Sequence, residues 1–290
     1  MLIQKHSYGC GGIGDFLRSA LSFYSFCKRF NVSYYIDFSE NINFGKCFVV
    51  NPIPDYNIID SENITLLNGV YNYDDISLIL DKIKSNNKIY ILKSNAIGFE
   101  NNEFIKLVVD EFFTKILVLN ENVINKINDL YKTFNLQENN YISVHIRCGD
   151  KNMTNNNNSL DNRIDINNKF VYDEYTNLIN KFVKNDEYKI VIFTDSIFFK
   201  EKILEKNNFL INLNVNIKHV AENIGVNDVN YFIDTISEFY IMSKSKCIYS
   251  FGVYSGFSHL ASIVNNKPLY VNYKSGYFSL LNNNNVKNIN

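Results

Sequence analysis

The segment Tyr141-Ile-Ser-Val-His-Ile-Arg-Cys-Gly-Asp150 holds the residues best suited to chemistry in this chain. Apolar and polar side chains alternate up to Arg147, and Gly149 then breaks the pattern. The spacing predicts a strand ending at about Arg147, which delivers a permanent cation to the carboxyl edge of a sheet. Open α/β sheets bind their ligands at that edge. Side chains alternate along a strand, so His145 shares a face with Arg147. A guanidinium in this position is a fork for phosphate oxygens, always charged and able to bind two of them. The same pattern also describes a strand, a turn and a solvated arginine, and the motif by itself does not separate the two readings.

Three other groups of residues could serve a ligand. Gly9-Cys-Gly-Gly-Ile-Gly14 fits G-x-G-x-x-G, stands before a helical pattern, and has Asp37 a little over twenty residues on. That is the setting of a dinucleotide site. The strand before it, Leu2-Ile-Gln-Lys-His-Ser, is polar for a central parallel strand, which is nearly all apolar as a rule. The glycines equally serve a tight turn and close helix–strand packing. Thr194-Asp195 closes an apolar run, where Asp195 either holds a sugar hydroxyl, caps the next helix, or does neither. In Ser250-Phe-Gly-Val-Tyr-Ser-Gly-Phe-Ser258 a strand runs into small residues and Ser255 is placed to cap a helix. Helix-start N–H groups and two hydroxyls make an anion pocket, although an ordinary serine cap has the same sequence.

Strands and helices must alternate to bring these residues to one edge. A short strand is expected over residues 1–6, a helix from Asp15 to about Phe30, and a strand over Val32–Phe38. The segment 40–72 reads as strand-poor, Lys88–Leu92 as a strand, and 103–136 as helical with Asn120 as a helix cap. A polar stretch at Gln137–Asn140 marks a domain boundary. Beyond it, strands are expected at 141–147, 188–194, 217–221, 247–251 and 268–273. Helices are expected at 172–184, 200–207, 234–243 and 255–264. Strands separated by helices imply parallel sheets joined by right-handed crossovers. The fold class is therefore α/β, with two Rossmann-like domains facing each other across a cleft, over residues 1–138 and 139–290.

Composition is compatible with this and excludes other classes. The chain has 290 residues, 46% hydrophobic and 20% charged, with a net charge of −1. Such a balance gives no basic surface for nucleic acid or anionic membrane. The five cysteines are scattered, with no metal-ligand spacing, and their odd number argues against a disulfide framework and for a reducing compartment. No apolar stretch approaches the ~20 residues that span a bilayer. A cytoplasmic location follows as the expectation. Asparagine runs at 155–158 and 282–285 read as loop and tail.

Read together, the motifs resemble one family. His145-Ile-Arg-Cys-Gly-Asp150 resembles the H-x-R-x-G-D motif of the α1,2-, α1,6- and protein O-fucosyltransferase superfamily. Thr194-Asp195 falls at its second motif. Glu238-Phe-Tyr-Ile-Met-Ser243, Cys247 and Ser255-Gly-Phe-Ser258 look like its third. Gly11-Gly-Ile-Gly-Asp15, with the helix and strand that follow, is similar to the amino end of nodulation α1,6-fucosyltransferases. The resemblance covers most of 9–40 and 141–272, and nothing in 41–140.

This resemblance implies a GT-B-like, inverting, metal-independent enzyme that takes GDP-fucose as donor and a glycan as acceptor, with no bound cofactor. Arg147 would bind the β-phosphate and offset charge on departing GDP, with His145 at the nucleotide or phosphates. Ser255, Gly256, Phe257 and Ser258 would hold the pyrophosphate or fucose, and Glu238, Thr194 and Asp195 the nucleoside side. Gly12, Gly14 and Asp15 would face the cleft from the amino-terminal domain. The acid of the third region is usually Asp, where this chain has Glu238. A second arginine of some members is Cys148 here. The catalytic Glu of some α1,6 enzymes falls in Met153-Thr-Asn-Asn-Asn. The general base stays open among Asp150, Asp161 and Asp15. Other readings of the chain are a different nucleotide sugar, an NAD(P)-dependent oxidoreductase using Gly9–Gly14, and an inactive glycan-binding protein.

Overall fold

The computed structural model describes residues 1–6, 12–54, 64–67, 70–71, 73–86, 88–93, 97–98, 102–148, 168–184, 187–215, 228–273 and 286–289. The chain divides into two compact units, one built on Met1–Glu121 and the other on Asn122–His219 and Ile233–Ser279.

In the first unit, β1 (Leu2–Lys5) leads to α1 (Ile13–Arg29), β2 (Tyr34–Asp37), α2 (Ile42–Gly45), β3 (Phe48–Val50), β4 (Ile64–Leu67) and β5 (Val70–Tyr71). Then follow α3 (Tyr73–Asn86), β6 (Ile89–Lys93), β7 (Ile97–Gly98), α4 (Asn102–Glu111), a π-helical turn at Phe112–Ile116, and β8 (Leu117–Leu119). A parallel sheet has the order β2-β1-β6-β4. Its polar strand β1 is central, contrary to what its composition suggests. Gln4 is fully buried there because its amide is satisfied: it donates to Ser19 Oγ at 3.0 Å and accepts from the Tyr34 hydroxyl. Helix α1 buries Phe16, Leu17, Ala20, Leu21, Phe23, Tyr24 and Cys27, and its charges suit the helix dipole, with Asp15 first and Lys28 and Arg29 last.

Two expectations fail in this unit. The stretch 40–72 is not strand-poor, since β3, β4 and β5 lie in it. The stretch 103–136 is not continuously helical. A π turn and β8 interrupt it, and β8 pairs antiparallel with β3. Strands of two to four residues carry too little periodicity to announce themselves, and pairing with distant partners decides them.

The second unit contains α5 (Glu121–Thr133), β9 (Tyr141–Ile146), α6 (Lys169–Phe182), β10 (Lys189–Thr194), α7 (Ile197–Lys206) and β11 (Leu210–Ile211). It continues with α8 (Asn230–Ser243), β12 (Ile248–Gly252), α9 (Gly256–Val264), β13 (Leu269–Tyr273) and β14 (Val286–Asn288). Its sheet has the order β11-β10-β9-β12-β13-β14, and every pair in it is parallel. The chain thus lays β10 and β11 on one side of β9 and then crosses to place β12, β13 and β14 on the other. This is the doubly wound order, and its crevice opens at the carboxyl ends of β9 and β12, where the direction reverses.

All six residues of β9 are buried. Ile142, Val144 and Ile146 join Val171, Tyr175 and Ile179 of α6 and Phe199 and Ile203 of α7 in one apolar cluster. Ser143 and His145 belong to the opposite face. The alternation seen in the sequence therefore separates an apolar face from a polar one, both covered. The expected strand 217–221 and both asparagine runs lie outside the described residues. Cys27, Cys47, Cys148 and Cys247 are free thiols. No helix among the described residues is long and apolar enough to cross a membrane.

Candidate functional site

Strand β9 ends one residue before Arg147, whose side chain is held from the next strand. Asp195, just past the end of β10, pairs with Arg147 Nε at 3.2 Å through Oδ2. Its other oxygen accepts the Cys148 backbone N–H at 2.6 Å. Asp195 does not cap α7. That is done by Ser196, whose hydroxyl accepts the Phe199 N–H at 3.2 Å. Thr194 Oγ1 lies 3.4 Å from Cys148 Sγ and receives the Ser196 N–H at 3.4 Å. Burial and the nearby Asp195 carboxylate push the Cys148 thiol well above its usual range, so it is a neutral neighbour of the guanidinium.

His145 stands one strand position before Ile146 on the polar face. Its pKa falls to about 3, first because it is buried and second because Arg147 is close. The ring is therefore neutral at physiological pH. It stacks on Phe257 with 5.8 Å between centroids, and its Nδ1 has no hydrogen-bond partner. Phe257 in turn meets Phe239 of α8 edge-on at 5.3 Å.

Next to β9, strand β12 ends at Gly252 with φ of 92°, a backbone shape that disfavours any side chain. The turn this permits leads into α9. Ser255 occupies the cap position with extended backbone, yet its side chain makes no capping bond. The first N–H groups of α9 accordingly keep their positive dipole end without a serine oxygen across it. Ser258 is turned inward, 2.9 Å from Ser250 Oγ, which also accepts the Tyr273 hydroxyl at 3.2 Å.

Glu238 of α8 is buried and lies 3.4 Å from Lys200 Nζ of α7. Burial raises its pKa to about 7, offset in part by Lys200 and reinforced by Asp234. Lys200 and Tyr273 were not anticipated from sequence. The expected helix over 200–207 put Lys200 at its start, whereas α7 begins at Ile197 and buries Lys200 in its second turn.

One sheet thus brings His145, Arg147, Thr194, Asp195, Ser255, Gly256, Phe257 and Ser258 to neighbouring strand and helix ends, while Glu238 is buried in α8 against Lys200. Gly12, Gly14 and Asp15 belong to the other unit. Gly12 is the residue before α1, Gly14 is in its first turn, and Asp15 pairs with the buried Arg18 at 3.0 Å. The residues Gly9–Gly11, Asp150, Asp161 and 153–157 lie outside the described residues. Asp37, the acid expected of a dinucleotide site, turns its carboxylate back onto Ser39, accepting its N–H at 2.7 Å and its hydroxyl at 3.1 Å. Among the described residues no group of three His, Cys, Asp or Glu could hold a metal ion.

No family model matches the chain, and no curated protein matches it by sequence. Solved structures do match it. Fucosyltransferase NodZ from Bradyrhizobium is similar with a TM-score of 0.57 and 13% identity, over 92% of this chain and 94% of that one. A mutant of Arabidopsis thaliana FUT1 in complex with GDP has a TM-score of 0.54 at 11% identity, over 95% of this chain and 70% of its own. POFUT1 in complex with GDP has a TM-score of 0.52 at 11% identity, over 93% and 98%. The chain has the GT-B-like α/β fold of these fucosyltransferases, which is the fold that its own motifs lead one to expect.

Proposed function

We propose that this protein is a glycosyltransferase that moves fucose from GDP-fucose to a glycan hydroxyl, with inversion and without a metal ion. The observation that carries the reading is Arg147. A fixed guanidinium stands at the carboxyl end of the central strand, beside the topological reversal and the uncapped start of α9. The solved relatives bound to GDP, and NodZ soaked with GDP-fucose, support the choice of donor.

In the proposed reaction the acceptor oxygen attacks C1 of fucose as the C1–O bond to the β-phosphate breaks. The bonding pair leaves on the phosphate oxygen. Donors already in place where that charge develops lower the barrier most. Arg147 is one such donor, and the first N–H groups of α9 are others. His145, being neutral, offers a ring and a hydrogen-bonding nitrogen and adds no charge. The proton of the acceptor goes to a carboxylate or to solvent, with Asp15, Asp150 and Asp161 as candidate bases. We assign residues 139–290 to the donor and 1–138 to the acceptor, and place the enzyme in the cytoplasm, supported by its scattered, odd-numbered cysteines.

The test is thermal stabilisation by GDP, UDP and NAD, followed by GDP release from GDP-fucose with glycan acceptors. A bound ligand at a hundredfold excess over Kd adds about 2.7 kcal/mol. GDP is expected to stabilise and NAD is not, and turnover is expected to persist in EDTA. Stabilisation by NAD alone would replace this reading with a dehydrogenase. Loss of turnover in EDTA that magnesium restores would overturn the metal-independent mechanism.

A further inference from the structure

Asp195 was expected on the nucleoside side of the donor, yet both of its oxygens are turned onto the end of β9. Oδ1 accepts the Cys148 N–H at 2.6 Å and Oδ2 meets Arg147 Nε at 3.2 Å. The carboxylate is 8% exposed as a residue, and Ser196, not Asp195, caps the following helix. The two contacts have different consequences. The Cys148 bond fixes the backbone just beyond Arg147. The Nε ion pair restrains the roll of the guanidinium about its own axis, because Nε is the inner edge of the planar fork. A fork held by Nε has its terminal nitrogens aimed in one direction before any ligand arrives. Thr194 supports the same junction, with Oγ1 beside Cys148 Sγ and below the Ser196 N–H.

We infer that Asp195 is a positioning residue for Arg147, a carboxylate clamp between the ends of β9 and β10 that pre-orients the guanidinium toward a diphosphate. This deepens the reading of Arg147 as the partner of the leaving group and rests on it. Asp195 itself need not touch the donor. An ion pair across two neighbouring strand ends restrains a long side chain, so part of its ordering cost is met during folding and not on binding. The clamp also explains why Asp195 is buried without being a cap.

Asp195→Asn keeps the shape and an oxygen for Cys148 but turns an amide N–H toward Nε. The expected result is a fall in kcat of at least tenfold, with the KM for GDP-fucose changed less than threefold and the melting temperature retained. In an Arg147→Ala background the same substitution is expected to add less than a twofold loss, since nothing remains to be positioned. A full additional tenfold loss there would mean that Asp195 acts on the donor directly, and would overturn the inference. Asp195→Glu, with the charge restored, is expected to recover part of the rate.

A readout independent of turnover separates this inference from the reading beneath it. The Nε–H resonance that Arg147→Lys removes from the nitrogen-correlated NMR spectrum is expected to be sharp and slow to exchange in the wild type. It is expected to broaden and exchange fast in Asp195→Asn. An unchanged resonance would overturn the clamp even with GDP-fucose turnover intact. A changed resonance in a protein with no GDP-fucose turnover would keep the clamp and dismiss the fucosyltransferase reading.

Discussion

The imidazole of His145 lies nearly parallel to the ring of Phe257, 26° apart in plane and 5.8 Å between centroids. The contact ties the polar face of β9 to the first turn of α9, so the strand that positions the cation and the helix that presents its N–H groups share one packing unit. Phe257 also meets Phe239 edge-on. Each such ring pair contributes about 0.5–1.5 kcal/mol beyond its buried area. Phe257→Ala is expected to lower the free energy of unfolding by about 1–3 kcal/mol in urea titration, and to weaken GDP binding as α9 loses its anchor. Unchanged stability would show that the stack does not form.

Arg147→Ala is expected to leave the far-UV circular dichroism spectrum intact and to lower transfer about a hundredfold or more, leaving a residual rate that a sensitive GDP-release assay still reads. Loss of one preorganised donor to a developing oxyanion costs on the order of 10²–10³ in kcat, about 3–4 kcal/mol. Substrate-dependent GDP release at a tenth of the wild-type rate or more would remove Arg147 from the mechanism.

The Lys200–Glu238 pair sets a pH dependence of its own. The folded-state pKa of Glu238 is raised to about 7, above the ordinary 4.5 of the unfolded chain. Between those values the folded state binds more protons than the unfolded state, so this group withdraws stability as pH rises from 4.5 to 7. Glu238→Gln is expected to remove that decline, seen as a flatter plot of urea midpoint against pH. Lys200→Met alone leaves the carboxylate buried without its cation and is expected to cost about 3–5 kcal/mol, much of it recovered in the double variant Lys200→Met with Glu238→Gln. Additive losses would contradict the pairing.

His6 works in the other direction. It is buried among Phe16, Phe38 and Phe44, with ring centroids at 4.8, 6.0 and 4.7 Å. Burial lowers its pKa to about 4 from 6.5. The unfolded chain then takes up a proton before the folded one, so stability is full above about pH 6.5 and is lost as pH falls toward 4. His6→Phe, which also removes the unpartnered Nε2, is expected to shrink the loss of urea midpoint between pH 7 and pH 5. An equal loss in both proteins would place the acid sensitivity elsewhere.

The elements of the second unit were the legible part of this sequence. Expected strands at 141–147, 188–194, 247–251 and 268–273 match β9, β10, β12 and β13 to within a residue or two, because β9 writes a clear alternation and β10 a buried apolar run between helical patterns. The motif order led to the right fold: Arg147 and Thr194-Asp195 sit where strands end and Ser255 where a helix begins, while Glu238–Ser243 forms the last part of α8. What stayed hidden depends on contacts between distant residues. Nothing near Gln4 foretells that Ser19 and Tyr34 will satisfy its amide in the middle of a sheet. Nothing near Asp195 separates a ligand contact from a bond to Arg147, 48 positions earlier in the chain. Lys200 reads as a solvated helix residue until Glu238 arrives from α8. The open N–H groups at the start of α9 leave almost no mark on residue identity, since Ser255 looks the same whether or not it caps the helix.

Strand β9 is hydrogen-bonded along both edges, and all six of its residues are buried. Its amides can meet solvent only when the whole unit opens, so β9 is expected to be among the last segments to exchange deuterium. The cation next to its end is therefore expected to be carried by one of the slow-opening elements of the sheet. Any motion that ligand binding or turnover demands is then expected to fall on segments other than the one that bears the charge.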